Sequence, residues 1–387
     1  MKKVSIKLTA LTILLASTTS ILKAQTQTAD RINVVTSAVP FLRISPDARA
    51  GGMGDAGIAT PADANSGFWN LAKTPFNPSN SGIALTYTPW LRGLDINDVY
   101  LASLSGFYKL DENQAITASM RYFSLGNIQF TDLNGNLNGD FRPREFAFDA
   151  GYSRKLSSKL GVGIALRYIN SSLAKGDLNG TTYKAGTAVA ADLSLFHTGV
   201  KEDGSGLNYG VTLSNLGSKI SYTNDATEKD YIPANLGLGI AYTSVFDADS
   251  KITFALDLNK LLVPTPPNSG DSTGIVKYRS QGVVGSWFNS LGDAPGGFSE
   301  EIKEVQASVG AEFWYQNQFA LRAGYFYENP TKGNRKYFTV GAGLKYEMFG
   351  LNFSYLIPSG NGVNRNPLSN TLRFSLIFDF GNDTPAK

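Results

Sequence analysis

The stretch LRFSLIFDF, residues 372–380, places its apolar residues at positions 372, 374, 376, 378 and 380. Those side chains share one face of an extended chain, and Arg373, Ser375 and Asp379 share the other. Alternation with a period of two is typical of a β-strand whose two faces meet different environments. The stretch therefore predicts a strand with one apolar face and one polar face.

The same alternation recurs upstream, in about fourteen segments. Most of them are about 9–14 residues long, which exceeds the usual length of soluble strands and suits tilted strands that cross a bilayer. The predicted spans are 82–90, 98–110, 113–125, 141–155, 158–171, 184–199, 206–217, 232–246, 250–262, 304–316, 317–328, 335–347, 349–358 and 370–381. The sequence therefore predicts an all-β fold, an antiparallel transmembrane β-barrel of about fourteen strands, over residues 82–381.

The connections between these segments alternate in length. Short links such as 111–112 and 316–317 alternate with long ones such as 126–140, 172–183 and 263–303. Outer-membrane barrels have short turns on the periplasmic side and long loops outside. The pattern therefore predicts an outer-membrane barrel in which the first strand begins, and the last strand ends, on the turn side.

The positions of the charged residues test the barrel prediction, because a charge that faces lipid costs a few kcal/mol at mid-membrane. Within the predicted strands, ten charges have the parity opposite to the aromatic residues, so we expect a structural charge network in the lumen. Glycines at the same parity, such as Gly161 and Gly341, leave space inside, and we expect a plugged or ligand-filled lumen. The predicted network consists of Arg121, Asp149, Arg167, Asp192, Asp257, Glu312, Arg322, Lys345, Arg373 and Asp379.

Composition excludes several kinds of site. The 387 residues include no Cys and a single His, so disulfides, thiol nucleophiles and multi-His metal cages are not available. The parity of His197 predicts a lipid-facing position near a short turn rather than a catalytic base. We therefore expect no enzyme activity, no metal site, no cofactor and no nucleic-acid partner.

Residues 1–24 have the order of a secretory signal peptide, with a basic start, an apolar run over residues 8–16 and a small residue at Ala24. Removal of Lys2, Lys3, Lys7 and Lys23 leaves 31 basic residues against 32 acidic ones. The formal charge of +3 therefore belongs to the export signal, and the mature chain is close to neutral.

Residues 25–81 do not alternate, and they contain small-residue turns followed by Phe68 and Trp69. We expect a compact plug or a segment at the periplasmic rim. Residues 382–387 are expected to form a short C-terminal tail.

This region carries a family resemblance. The stretch PFLRISPDARAGGMGDAG, residues 40–57, is followed by WNLAK at 69–73, TYTPWL at 86–91 and DLNG at 132–135. Together they resemble the long-chain fatty-acid transporter superfamily and, within it, the PorV family of the Bacteroidetes type IX secretion system. The resemblance covers essentially the whole mature chain, although Leu71-Ala72 stands where many relatives have Pro-Ala.

The resemblance implies a role in protein export. Proteins of this family bind the C-terminal signal domains of cargo that leaves the translocon, called SprA or Sov. They then carry the cargo to a surface attachment complex that contains the sortase PorU. The implied partners are therefore the translocon, the cargo domains, the attachment complex and outer-membrane lipid.

The long loop 263–303 contains Trp287, Phe288 and Leu291 in an otherwise polar setting. On an exposed rim such residues would anchor a protein partner, whereas folded inward they would form a lid. Trp90, Leu91 and Tyr231 are expected on the same rim.

The leading function is thus a cargo shuttle, and the alternative is a transporter of hydrophobic small molecules. A lipid-modifying enzyme is a third and weaker possibility.

Overall fold

The computed structural model describes residues 32–92, 96–131, 134–178, 181–225, 229–267, 271–359 and 370–381. The predicted signal peptide at 1–24, the tail at 382–387 and residues 132–133 of the DLNG motif lie outside this described part.

Fourteen antiparallel strands form a closed barrel in the described part of the chain, which confirms the predicted fold class. Each strand pairs with its sequence neighbours, and the last strand pairs with the first, from Ser81 opposite Phe380 to Tyr87 opposite Phe374. Closure leaves no open sheet edge facing hydrocarbon. The strands are β1 (Ser81–Pro89), β2 (Val99–Lys109), β3 (Gln114–Leu125), β4 (Arg144–Lys155), β5 (Leu160–Ser172), β6 (Gly186–Thr198), β7 (Gly206–Gly217), β8 (Asn235–Val245), β9 (Ser250–Leu261), β10 (Gln306–Tyr315), β11 (Phe319–Tyr327), β12 (Lys336–Tyr346), β13 (Phe349–Pro358) and β14 (Leu372–Phe380).

The two ends of the barrel differ as the link lengths predict. Short turns at 110–113, 156–159, 199–205, 246–249, 316–318 and 347–348 lie at one end, together with the start of β1 and the end of β14. The longer connections lie at the other end, and two of them carry small hairpins, Ile128–Thr131 with Leu137–Phe141 and Gly176–Leu178 with Thr181–Tyr183. We call these the turn end and the loop end.

The strand faces follow the sequence alternation. In β14, Phe374, Leu376 and Phe380 are exposed on the outer wall, while Arg373 and Ser375 are buried inside. Exposed tyrosines stand near both ends of the wall, for example Tyr168 towards the loops and Tyr346 towards the turns. This is the apolar band with aromatic borders that a bilayer requires.

Residues 33–80 run through the lumen from the loop end to the turn end. The amide of Asn33 donates to the carbonyl of Thr331 in a loop, at 2.9 Å, and the amide of Asn80 donates to the carbonyl of Phe380, at 3.0 Å. We call this segment the plug. It contains helices α1 (Ala48–Gly51) and α2 (Ser66–Trp69) and the 3-10 turns Pro40–Arg43 and Leu71–Phe76.

Lumen-facing glycines of the wall are the places where the plug backbone touches it. A Cβ atom on Gly324 would lie 2.1 Å from the amide nitrogen of Gly54, and one on Gly310 would lie 2.3 Å from the carbonyl oxygen of Met53. The Cα of Gly341 likewise lies 3.1 Å from the Cβ position at Gly52. The space that the wall glycines leave is therefore filled by backbone.

The longest connection, 262–305, is largely helical. It contains α3 (Ser272–Ser280), α4 (Val283–Asn289) and α5 (Phe298–Glu301), followed by the 3-10 turn Ile302–Glu304. Over the described ranges, no helix combines the length and the apolar character that a membrane crossing demands.

Candidate functional site

The plug is held to the wall by a buried ionic cluster. Arg49 of α1 donates from Nε and Nη2 to the two carboxylate oxygens of Glu312, at 2.9 and 2.7 Å, and from Nη1 to Asp63, at 2.9 Å. Arg322 donates to the same Glu312 at 2.7 Å and to Asn352 at 2.9 Å. A buried carboxylate therefore has two arginine partners, which offsets its desolvation. The bidentate geometry also fixes the orientation of α1.

Other predicted lumenal charges pair along the wall. Arg167 bonds to Asp149 on β4 and to Asp192 on β6, and it also donates to Asn215. Lys345 pairs with Asp379 at 2.8 Å. These pairs join adjacent or nearby strands rather than opposite walls.

The remaining predicted charges bind the plug. Arg121 donates to the carbonyl of Leu42 at 2.8 Å, and Asp257 accepts the amides of Gly57 and Ile58 at 2.7 and 2.8 Å. Arg373 approaches Asp55 at 3.9 Å. Arg49, Asp55 and Asp63 are not among the predicted site residues, although charges in a glycine-rich segment ahead of a charged lumen are a usable signal.

Spaces remain between the plug and the wall in the described part of the barrel. A cavity of about 140 Å³ lies on the side of the plug towards the loops, between Phe68, Arg121, Asn215 and Tyr337. A larger one of about 940 Å³ opens at the turn end, because residues of the turns at 203–204, 247–249 and 317–318 form its rim. We call the larger space the vestibule.

The helical connection forms a distinct surface at the loop end, which we call the platform and define as residues 271–305. Asp271 caps α3 by accepting the amide of Gly274 at 2.8 Å, a standard start signal for a helix. Ser286 in α4 and Ser290 directly after it are completely buried, whereas Val284 and Phe288 are exposed. Val283 and Trp287 are half-buried, so the helix still leaves two large apolar side chains on its outer surface. The exposed apolar residues of the platform include Val276, Val284, Phe288, Leu291, Phe298 and Ile302.

Buried ion pairs hold the platform to the barrel. Lys260 at the end of β9 contacts Glu301 at 2.6 Å and Glu304 at 2.7 Å. Lys332 of the neighbouring loop contacts Glu300 at 2.6 Å and Glu304 at 2.9 Å. Burial by itself lowers the pKa of Lys332, but its hydrogen bonds to Glu300 and Glu304 outweigh burial and raise that pKa. These ion pairs therefore fix the position of the platform, whose exposed face carries the apolar residues.

Tyr231 supports α3 from beneath. Its hydroxyl contacts the carbonyls of Tyr278 and Gln281 at 3.0 and 3.1 Å, and the ammonium of Lys219 lies 4.0 Å from its ring centre. Burial raises the pKa of Tyr231 to about 12, so the phenol stays protonated. The carbonyl of Tyr231 also accepts the amide of Ala38 at 2.8 Å, which joins the platform to the plug.

The predicted rim residues therefore divide into two groups. Phe288 is 71% exposed and Leu291 is 49% exposed, while Trp287 is half-buried. Trp90 and Leu91 are half-buried and pack against the apolar cluster around Phe123, and Tyr231 is only 3% exposed. These three support the loop end from within and offer little surface. Val284 and Phe298 are not among the predicted rim residues. Positions 284, 288 and 291 have the helical spacing i, i+4, i+7, which is a sequence signal for one shared face.

Two observations concern possible chemistry. His197 is half-exposed beside Tyr209, with the ring centres 6.0 Å apart, at the turn end of β6. Within the described part of the chain, no three His, Asp or Glu side chains gather in a way that could hold a metal ion.

The chain resembles a known protein family in sequence and several known barrels in fold. The sequence model of a family described as type IX secretion system protein PorV matches residues 26–268. No curated protein sequence matches the chain.

Among solved structures, the CymD monoaromatic hydrocarbon channel is 10% identical, with 87% of this chain and 98% of that chain covered and a TM-score of 0.50, which shows the barrel fold alone. The toluene transporter TodX of Pseudomonas putida is 13% identical, with coverage of 87% and 99% and a TM-score of 0.46. A FadL homologue of Pseudomonas aeruginosa is 10% identical, with coverage of 87% and 99% and a TM-score of 0.44.

Proposed function

Because the chain belongs to the PorV family of type IX secretion system proteins, we propose that it binds exported proteins at the outer face of the outer membrane and hands them on. The recognised part of the cargo is its C-terminal signal domain. The chain receives this domain from the SprA or Sov translocon and delivers it to the attachment complex that contains PorU. In this role the protein is a carrier and not an enzyme.

The exposed apolar side chains of α4 carry the proposal. A surface helix normally buries its apolar face, but here the two serines are buried and Phe288 is 71% exposed. Contiguous exposed apolar side chains with polar surroundings are typical of protein-binding sites. Covering a large aromatic side chain contributes about 1.5–3 kcal/mol, so the platform offers a sizeable anchor.

The base of the platform supports the same function. The ion pairs of Lys260 and Lys332 hold the helices in place before any partner arrives. A preorganised surface loses little conformational entropy on binding, and therefore more of the contact energy appears as affinity. A β-rich cargo domain would dock on this face or add a strand at the nearby loop hairpins.

The alternative, a transporter of hydrophobic small molecules, has less support. Several structural neighbours are named as hydrocarbon channels, but their low identity limits the likeness to the fold. The plug occupies the lumen, and the ion-paired Arg49, Glu312 and Arg322 line the vestibule. Ion pairs of this kind are a poor lining for an apolar ligand.

The test compares two equally exposed apolar residues at the loop end. Phe288→Ser should weaken binding of a purified cargo C-terminal domain by about tenfold or more, measured with the full chain in nanodiscs. Leu137→Ser is the matched control, because Leu137 is also 71% exposed but lies in another loop, and it should leave binding unchanged.

Two results would contradict the proposal. One is equal affinity of the Phe288→Ser variant and the original chain. The other is purification of the protein from its own outer membrane with bound lipid or fatty acid but without cargo or translocon, which would favour the transporter.

A further inference from the structure

The vestibule lies on one side of the plug. The 3-10 turn Leu71–Phe76 packs against β3 to β6 and fills that half of the turn end. The opposite half, bounded by strands β7 to β14, keeps a space of about 940 Å³. This volume lies in the range of about 300–1,000 Å³ that is usual for ligand sites. In an outer-membrane barrel the short turns face the periplasm, so the vestibule opens there.

The inner part of the vestibule carries a small excess of positive charge. Arg49, Arg322 and Lys345 form ion pairs with Asp63, Glu312 and Asp379, and Lys251 is the cation in excess. Lys251 points into the vestibule from the start of β9, and in the described part of the chain no carboxylate lies within ion-pair distance of its ammonium. Deeper inside, Arg322 is only 4% exposed and is already paired with Glu312. Lys251 is thus a half-buried cation without an ion-pair partner, which favours an anionic group beside it.

The mouth of the vestibule is acidic. Asp203, Asp247, Asp249 and Glu347 stand exposed on three of the turns that surround it, and none of them forms an ion pair in the described ranges. Field lines from such a rim attract cations and repel anions as they approach. The site is therefore bipolar, with negative charge outside and positive charge inside.

The walls between these charges are mixed. Phe76, Phe196 and Trp314 provide apolar surface, while Thr243, Thr253 and Asn352 provide hydrogen-bonding groups. Apolar walls with a few placed polar groups suit a ligand that has both side chains and backbone amides.

We propose that the vestibule binds the C-terminal end of a polypeptide that arrives from the periplasm. The terminal carboxylate reaches Lys251, the last apolar side chains lie along Phe76 and Trp314, and basic side chains a few residues upstream stay at the acidic mouth. A fatty acid matches the inner cation but carries no positive charge for the mouth. The inference is independent of cargo binding at the platform, which lies at the other end of the barrel.

The test uses the full chain in nanodiscs and a fluorescent seven-residue peptide with two lysines, an apolar end and a free C-terminal carboxylate. Amidation of that carboxylate should weaken binding by about tenfold or more, because it removes a charge-assisted hydrogen bond. In Lys251→Gln the free and amidated peptides should bind equally. Lys159→Gln, at an exposed turn lysine that does not line the vestibule, should keep the difference.

A second pair of variants tests the mouth. Asp247→Asn combined with Asp249→Asn should reduce the salt dependence of binding, since two rim charges are removed. Equal binding of the free and amidated peptides to the original chain would overturn the proposal. So would laurate binding that depends on Lys251 in the absence of peptide binding, because the vestibule would then be a site for amphiphiles.

Discussion

Arg49 and Glu312 lie 263 positions apart in the chain, yet two hydrogen bonds of 2.9 and 2.7 Å join them inside the barrel. The arginine belongs to the plug and the glutamate to the wall. Because Glu312 also accepts from Arg322, the plug and two neighbouring strands share one buried carboxylate. This cluster fixes the depth at which α1 stands in the lumen.

Arg49→Met is expected to loosen the plug without opening the barrel. The substitution leaves Asp63 without its ion-pair partner and Glu312 with only one, and breaking a buried pair costs about 3–5 kcal/mol. Hydrogen exchange of residues 47–76 should rise, while the exchange of strand amides stays slow. Arg92→Met is the control, because Arg92 is exposed at the loop end and, among the described residues, donates to Asn97 rather than to the plug. Equal exchange in both variants would contradict the assigned role of Arg49.

Gly324→Ala is expected to displace the plug. The new methyl group would meet the backbone of Met53 and Gly54 at 2.1–2.2 Å, and crowding of this kind costs about 1–3 kcal/mol. In planar bilayers the variant should show ion conductance steps more often than the original protein. Gly350→Ala serves for comparison, since its nearest neighbour is the side chain of Ile377 at 3.3 Å and not the plug. If Gly324→Ala shows no more conductance steps than the original protein, the result would argue against close contact between plug and wall.

Thr36→Cys should be labelled from outside the cell. Thr36 is exposed and lies between Asn33 and Ala38, both of which bond to residues of the loop end. The chain has no Cys of its own, so a membrane-impermeant maleimide reports this position alone. Glu112→Cys, in a turn at the other end, should react only after the outer membrane is permeabilised. The reverse pattern would invert the orientation of the barrel.

Acid should release the platform. The hydrogen bond from Lys332 lowers the pKa of Glu300, so this carboxylate contributes stability above its unfolded pKa of about 4.5 and loses the contribution as pH falls through the lower folded value. The raised pKa of Lys332 has the opposite sign, and its contribution is lost only at alkaline pH above about 10.5. Limited proteolysis of residues 271–305 should therefore accelerate below about pH 4 while the barrel stays intact. In Lys332→Met the loop should be cleaved quickly at neutral pH as well.

The barrel could be predicted because its physics is local in sequence. Each strand must present apolar side chains to lipid and polar ones to the lumen, so the period of two is visible in a single segment such as 372–380. Turn and loop lengths then indicate the two ends. The parity of Arg373 and Asp379 predicted an inward position, and both residues line the interior.

The partners of the lumenal charges could not be predicted in the same way. Asp257 binds two backbone amides of the plug, and no side chain in its own strand indicates that choice. Wall glycines such as Gly324 indicated free space, but the backbone that fills it comes from residues about 270 positions away. The long loop 263–303 is a predicted surface, but its helical form was not predicted. The apolar positions 284, 288 and 291 follow a helical period only over a short stretch between polar and proline-containing segments.

The seam between the first and last strands has a consequence for biogenesis. The amide of Ala48 in the plug donates to the hydroxyl of Ser375 on β14, at 2.9 Å, and Thr86 on β1 shares that hydroxyl. The plug is made before any strand, yet part of its binding site arrives with the last one. Until the final strand is inserted, the N-terminal segment therefore lacks one of the wall groups that hold it. Seating of the plug then marks the completion of the barrel, and a prematurely terminated chain would be left with an unsealed pore.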